Sequence, residues 1–267
     1  MGDRPTETTP AARKRVYLEL FGLWLVTLLL IRAVVSVQAA GLPEWILALV
    51  PCLFIYAPVA LCRWRKADSY AYHLSVPAFR NLRAWWAGAR VGVAWLAIIL
   101  VPFLVGYHLY QTTLFDLTPD LTRLAPRRLD LDIDFAWLDA LTPENERALA
   151  TLNKHGTLLL YQLFFVAIPE EFFYRGYMQT RLNEVFPKKF ILFGIPFSHA
   201  LWITSLVFAF GHSLVILRWW HWAIFFPGLV FGLLRERTRG VLAGAFFHAG
   251  CNILVVTLDT VYGILPP

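Results

Sequence analysis

Six polar residues lie inside long apolar stretches of this chain, where charged and hydrogen-bonding side chains are rare. They are Glu170, Glu171, Arg175, His212, His248 and Asn252. A charged side chain at the centre of a bilayer costs at least about 2.5–3.5 kcal/mol on insertion scales. Groups with such a cost are expected to face one another, a polar partner or a water-filled cavity. We therefore treat these six residues as the candidate functional set.

The spacing of the first three residues separates their roles. Glu171 and Arg175 are four residues apart, so they share a helix face and can pair. Glu170 is turned from Glu171 by about 100° and is left to point at other helices. Pro169, directly before it, removes one backbone hydrogen bond and bends the helix. If the charges only held helices together, one glutamate would be left without a partner.

The two histidines and the asparagine lie in two other apolar stretches. His248 and Asn252 are four residues apart and face the same way. A glutamate beside a histidine can hold and deprotonate a water, and a His–Asn pair can donate hydrogen bonds to an oxyanion. The set predicts hydrolysis of an amide bond with no cofactor. Zinc bound by Glu170, His212 and His248 is the alternative, because two histidines and a carboxylate form a common catalytic zinc set.

The elements that must position these residues are predicted to be transmembrane helices. Hydrophobic residues make up 58% of the chain and charged residues 16%, against about 25% charged in a soluble domain. The apolar residues come in blocks of about 20 residues, which is the length of helix needed to cross a bilayer. We predict an all-α, polytopic transmembrane helical bundle of about seven spans. The spans are 17–37, 44–62, 85–107, 157–181, 198–217, 219–234 and 241–258.

The basic residues predict the orientation of the bundle. The net charge of +6 comes from short clusters between the apolar blocks, which is typical of cytoplasmic loops. We therefore expect a lipid bilayer and not nucleic acid as the partner. The N-terminus is predicted to be cytoplasmic and the C-terminus extracytoplasmic, in a bacterial inner membrane. The predicted regions are a cytoplasmic tail 1–15, three N-terminal helices 16–107, a polar extracytoplasmic loop 108–156 and a catalytic core 157–267.

Three motifs together resemble one known family, the CAAX-protease and bacteriocin-processing (CPBP) family, also called the Abi or type II CAAX prenyl endopeptidase group. Its Glu-Glu-x-x-x-Arg motif is similar to Glu170–Arg175. Its second and third motifs resemble Phe208-x-x-x-His212 and His248-x-x-x-Asn252, in the same order. The resemblance covers about residues 157–258.

This resemblance implies a glutamic-type intramembrane endopeptidase. Glu170 would activate a water that His212 helps to hold, while His248 and Asn252 would form the oxyanion site. Glu171 and Arg175 would orient the catalytic glutamate. The implied substrate is a membrane-anchored protein or peptide, and some relatives cut near the C-terminus of theirs.

Two other functions remain open at this point. A non-catalytic immunity or scaffold protein would keep the fold, and Glu170→Gln would then preserve its function. A transporter would use intramembrane carboxylates and histidines to relay protons, although the sequence shows no internal repeat of the kind many transporters have.

Overall fold

A computed structural model describes residues 9–72, 80–114, 156–215 and 219–262. Within these ranges the chain forms seven helices, and shorter turns flank some of them. The helices are α1 (Pro10–Ala39), α2 (Leu49–Trp64), α3 (Leu82–Leu109), α4 (Gly156–Asn183), α5 (His199–Val215), α6 (Phe225–Thr238) and α7 (Leu242–Val261). The turns are 3₁₀ at Glu44–Ala48, Ser69–Tyr72 and Trp219–Ile224, and π-helical at Tyr110–Leu114.

Five helical segments are long and apolar enough to cross a membrane: α1, Glu44–Trp64, Leu82–Thr112, α4 and Leu242–Asp259. Large apolar side chains such as Leu18, Ile98 and Val101 point outward and are 65–67% exposed. The chain is therefore an integral membrane protein. The helical architecture is confirmed, but seven spans stay a prediction. Helices α5 and α6 have 17 and 14 residues, fewer than the about 20 needed to span a bilayer.

Two predicted segments lie largely outside the described residues. The structure covers only residues 108–114 and 156 of the predicted loop 108–156, and only residues 9–15 of the predicted tail 1–15. The loop's location outside the cytoplasm therefore stays a prediction, as do the region boundaries drawn from the sequence.

A short β-hairpin departs from the all-α prediction. Strands β1 (Phe190–Leu192) and β2 (Ile195–Phe197) pair antiparallel between α4 and α5. Phe193 and Gly194 form the connecting turn with φ of 51° and 73°. Positive φ at both positions matches the right-handed twist of a tight hairpin. Strands of three residues are too short for alternation of polar and apolar residues to reveal them.

Helix α4 carries the first motif and is irregular around it. It is π-helical over Gln162–Ala167 and Phe172–Gln179, with a short α-helical segment, Ile168–Glu171, between them. Pro169 lies in that segment and has no N–H to donate. Such π-helical turns are frequent at functional sites. Every residue of the second π-helical stretch is buried, so α4 is the central helix of the fold.

Glycines bring α3 and α7 into close contact. A Cβ added at Gly92 would lie 2.8 Å from the Ala243 carbonyl oxygen, and one added at Gly88 would lie 2.8 Å from the Leu242 Cβ. Small residues at such positions allow helix backbones to approach closely inside a membrane. This packing fixes α7, which carries the third motif, against the bundle.

A polar cluster fixes α1 and α2 against α4 at the predicted cytoplasmic end. Glu19 on α1 accepts hydrogen bonds from Arg65 at 2.9 Å and from Tyr177 at 2.7 Å. Arg181 Nε also lies 3.4 Å from the same carboxylate. Because these charges are paired, they can be carried inside an apolar fold. The cluster holds α1 in place, and residues of α1 form one wall of a cavity.

Candidate active site

Glu170, His212 and His248 come from three different helices and meet at one place. Glu170 Oε2 lies 4.0 Å from His212 Nε2 and 3.9 Å from His248 Nε2. Both distances exceed a direct hydrogen bond, and gaps of this size can be bridged by a water. Among the described residues, Glu170 Oε2 has no hydrogen-bond partner. The structure thus brings together three of the residues that the sequence predicted would converge.

The neighbouring carboxylate has a different environment. Arg175 Nη1 donates to Glu171 Oε1 at 3.0 Å, and both side chains are at most 1% exposed. This is the ion pair that the spacing predicted. Arg175 Nη2 also donates to the Gly228 carbonyl at 3.2 Å. The guanidinium lies 4.3 Å from the ring centroid of Phe208 and 4.8 Å from that of Phe231, distances at which aromatic faces attract a cation.

His248 lies between the two glutamates. Its Nδ1 is 3.4 Å from Glu171 Oε1, while its Nε2 faces Glu170. The imidazole stacks on Phe231, with ring centroids 4.6 Å apart and planes at 19°. The face of the ring is therefore fixed by an aromatic neighbour, and both of its nitrogens are directed at carboxylates.

His212 is oriented by its own helix. Its Nδ1 lies 2.9 Å from the Phe208 carbonyl oxygen. A carbonyl can only accept, so the hydrogen of the neutral imidazole is assigned to Nδ1. The lone pair on Nε2 then points toward Glu170, where it can accept a hydrogen from a water.

Asn252 has a partner that the sequence analysis missed. Its Nδ2 donates to Gln162 Oε1 at 2.9 Å, and Gln162 begins the first π-helical stretch of α4. An amide nitrogen carries two hydrogens, so Asn252 can donate a second bond. The signal for Gln162 was present in the sequence, since a lone amide in an apolar span needs a polar partner. No such signal marks Phe231, because aromatic residues are ordinary in apolar spans.

A cavity of about 480 Å³ leads to these residues. Its walls come from α1, the 3₁₀ turn Glu44–Ala48, α2, α4, α5 and His221 in the 3₁₀ turn Trp219–Ile224. Glu170, Tyr174 and His212 are among its lining residues. Glu44 and Trp45, both exposed, line it as well. A mostly apolar cavity with a few convergent polar groups is the usual form of a ligand site.

The zinc alternative does not fit the side chains as they stand. Among the described residues, no three His, Cys, Asp or Glu side chains are grouped closely enough to hold a metal ion. Zinc ligands lie about 2.0–2.2 Å from the metal, which places neighbouring ligand atoms about 3.3–3.6 Å apart in a tetrahedron. The distances of 3.9 and 4.0 Å from Glu170 Oε2 are longer. A site without a metal stays a prediction.

Fold and site together define a polytopic membrane protein with a polar centre built from three helices. Residues 154–254 match the family model of the Rce1-like type II CAAX prenyl endopeptidases. The match confirms the family resemblance of the three motifs, and it covers all of them. Residues 154–254 are thus similar to this protease family, and the similarity, together with the apolar helices, supports a CAAX-type intramembrane protease at the level of the family. No curated protein and no solved structure matches the chain significantly.

Proposed function

We propose that this protein is a glutamic-type endopeptidase that cuts a peptide bond of a membrane-associated protein with a water activated by Glu170. One observation carries the proposal. A buried carboxylate oxygen without a hydrogen-bond partner among the described residues lies 3.9–4.0 Å from two histidine nitrogens beside an apolar cavity.

The gap between Glu170 and His212 has the size that one water needs. A water about 2.8 Å from each side chain spans the 4.0 Å separation at an angle near 90°. It donates one hydrogen to the Glu170 carboxylate and the other to His212 Nε2. Its oxygen lone pair is then free to attack a carbonyl carbon in the cavity.

The remaining groups act on the charge that this attack creates. The water oxygen bonds to the carbonyl carbon, its proton passes to Glu170, and the carbonyl oxygen becomes an oxyanion. Asn252 supplies an amide N–H donor for that oxyanion, and His248 supplies one through Nε2 when its ring carries hydrogens on both nitrogens, because Nδ1 faces the Glu171 carboxylate. Donors of this kind contribute roughly 3–4 kcal/mol each in acyl-transfer enzymes. When the C–N bond breaks, the proton on Glu170 passes to the leaving amine, so the carboxylate is restored.

Glu171 and Arg175 act through their neighbours and do not touch the reacting atoms. Their ion pair holds Nδ1 of His248 on one side. Because Glu171 follows Glu170 directly, the same pair fixes the helix face on which Glu170 projects. We therefore assign a positioning role to both residues.

The test is cleavage by purified protein in liposomes. A library of membrane-anchored peptides is incubated with wild type, Glu170→Ala and His248→Ala, and the products are identified by mass spectrometry. We expect wild type to cleave at least one peptide and both variants to lose that cleavage. Asp68→Ala, which removes an exposed carboxylate in the turn after α2, serves as the control and is expected to cleave normally. Equal cleavage by all four proteins would end the proposal.

A further inference from the structure

Tyr174 is related to Glu170 as Arg175 is related to Glu171. The members of each pair are four residues apart on α4, and side chains at this spacing lie on the same helix face. Glu171 and Arg175 pair in the buried interior, whereas Glu170 and Tyr174 both line the cavity. Helix side chains tilt toward the N-terminus, so the Tyr174 ring reaches back along α4 toward Glu170. The proposed mechanism gives this tyrosine no role.

The ring of Phe208 packs against Tyr174 and against both histidines of the site. Its centroid lies 4.9 Å from that of Tyr174, with the planes at 78°. The His212 and His248 rings lie 4.6 and 5.8 Å from the same centroid. Such edge-to-face contacts favour one relative orientation of the rings. Because Tyr174 is only 1% exposed, its ring is fixed in the same packed group as the two histidines.

The lack of a side chain at Gly211 leaves space for the Tyr174 hydroxyl close to His212. A Cβ added at Gly211 would lie 2.9 Å from the tyrosine oxygen and 3.4 Å from Nε1 of Trp24 on α1. Gly211 also lines the cavity. An indole N–H can only donate, so Trp24 can donate to the tyrosine oxygen and leave the hydroxyl hydrogen for another acceptor. The hydroxyl is therefore a donor at the cavity wall.

Glu170 and His212 present acceptors to the same cavity. An ionised carboxylate can only accept hydrogen bonds, and Nε2 of His212 is an acceptor because the Nδ1 hydrogen is directed at the Phe208 carbonyl. A bound peptide brings carbonyl oxygens as well as N–H groups, and a polar group left unpaired in apolar surroundings is costly. The Tyr174 hydroxyl supplies the donor that a substrate carbonyl needs at this place.

We propose, on the basis of the proposed function, that Tyr174 is a substrate-binding residue of this site. Its hydroxyl donates a hydrogen bond to a backbone carbonyl oxygen of the substrate, next to the peptide bond that is cut, and holds the chain against Glu170. Because this bond is made equally before and during the reaction, its loss weakens substrate binding more than the chemical step. Trp24 supports the hydroxyl, so α1, which lies outside the family match of residues 154–254, contributes to the site.

The first test compares two buried tyrosines of α4. Tyr174→Phe removes the hydroxyl at the cavity. Tyr177→Phe is the control, because that hydroxyl donates to Glu19 at 2.7 Å and Tyr177 is not among the described residues that line the cavity. Both variants are made in a Cys52→Ala background, which leaves two buried cysteines, so that a thiol-reactive dye reports thermal unfolding.

The two variants are expected to separate in their steady-state constants. Tyr174→Phe should raise KM about tenfold, the loss of one hydrogen bond, with kcat within about twofold of the Cys52→Ala parent. Tyr177→Phe should leave both constants unchanged even if its unfolding temperature falls. An unchanged KM in a folded Tyr174→Phe protein, or a fall in kcat alone, would overturn the proposal.

A second variant displaces the hydroxyl without removing it. In Gly211→Ala the added Cβ would lie 2.9 Å from the Tyr174 oxygen, which is too close for van der Waals contact, so the hydroxyl must shift. We expect KM to rise in this variant as well. Gly22→Ala on α1 is the control, because its added Cβ would meet nothing within 4 Å, and its KM should stay at the parent value. An unchanged KM in Gly211→Ala would contradict the placement of the hydroxyl at the substrate.

The last test identifies the carbonyl group that accepts the bond. Single amide groups on either side of the cut bond of a cleaved peptide are replaced by esters, whose carbonyl oxygens are weaker acceptors. We expect one replacement to raise KM for the parent but not for Tyr174→Phe, because the two changes remove the same interaction. Equal ester effects in both proteins at every position would refute the inference alone. If the parent cleaves no peptide, the proposed function fails and takes this inference with it.

Discussion

Two adjacent glutamates on α4 occupy opposite kinds of environment. Glu171 is joined to Arg175 at 3.0 Å, and the guanidinium is enclosed by Phe208 and Phe231. Glu170 lies beyond hydrogen-bond distance from its two histidines and lines a cavity. The charge of a carboxylate with an ionic partner is already neutralised, so such a group is suited to fixing the positions of its neighbours. A carboxylate without one keeps its capacity to bind a water, so the comparison separates a positioning residue from a reacting one.

His248 connects the two environments, because its ring nitrogens face one glutamate each. A change on the Glu171 side is therefore expected to reach Glu170 through this ring, while a change at Glu170 should leave the ion pair intact. Substitutions on each side of this ring test that asymmetry.

Removing the arginine should have the largest effect on stability. Arg175→Met leaves the Glu171 charge buried and unpaired, which is expected to lower the free energy of unfolding by about 3–5 kcal/mol. The measurement is thermal unfolding in detergent with a thiol-reactive dye in the Cys52→Ala background, where Cys62 and Cys251 react only when they become exposed. Adding Glu171→Gln to Arg175→Met should recover part of the loss. A double variant that is less stable than the single one would contradict the account.

Substitutions of Asn252 and Gln162 should change the cleavage rate more than the stability of the protein. Asn252→Leu removes an oxyanion donor and is expected to lower kcat by about 10²–10³-fold with little change in KM. Gln162→Leu removes only the acceptor that orients Asn252, so its effect should be smaller, at most about a hundredfold. Steady-state cleavage of one peptide by both variants measures the two losses. A larger loss for Gln162→Leu than for Asn252→Leu would show that the glutamine contacts the substrate itself.

Crowding Glu171 should lower the cleavage rate moderately. A Cβ at Gly244 would lie 2.8 Å from Glu171 Oε2, so Gly244→Ala should displace the carboxylate and, through it, His248. Overpacking of this kind typically costs about 1–3 kcal/mol. Gly250→Ala is the matched control on α7, because its Cβ would meet the end of the Leu96 side chain instead. At comparable thermal stability, Gly244→Ala should cleave more slowly than Gly250→Ala, and equal rates would separate Glu171 from the reaction.

Metal removal is expected to have the smallest effect. If Glu170 activates the water directly, dialysis against a strong chelator should leave the cleavage rate unchanged, and added zinc should not raise it. The metal content of the active protein, measured by mass spectrometry, is the control. Loss of cleavage on chelation and its return with zinc would favour the alternative in which Glu170, His212 and His248 bind the metal.

The sequence was sufficient for those parts of the site that depend on local geometry. A separation of four residues within α4 predicts the Glu171–Arg175 ion pair, and the cost of polar groups in lipid predicts that Glu170 and the two histidines converge. Both features are present in the structure. The three motifs also pointed to the family that the comparison supports.

Features that depend on packing between distant segments could not be predicted in this way. The bond between Asn252 and Gln162 joins residues on α7 and α4, and no spacing rule links them. The cavity lies between α1, α2, α4 and α5, and neither of the two N-terminal helices carries a motif. Hydrophobic periodicity does not predict the π-helical stretches around Pro169 or the short hairpin. It assumes regular helices, and it needs strands longer than three residues.

The central claim is that Glu170 reacts while Glu171 supports it, and the most direct test is the cleavage rate of Glu170→Gln beside its thermal stability. This substitution keeps the shape of the side chain and removes the base. We expect a loss of about 10²–10⁴-fold in kcat, the usual range for a general base, with an unfolding temperature equal to that of wild type. Cleavage at the wild-type rate by a folded Glu170→Gln protein would contradict it.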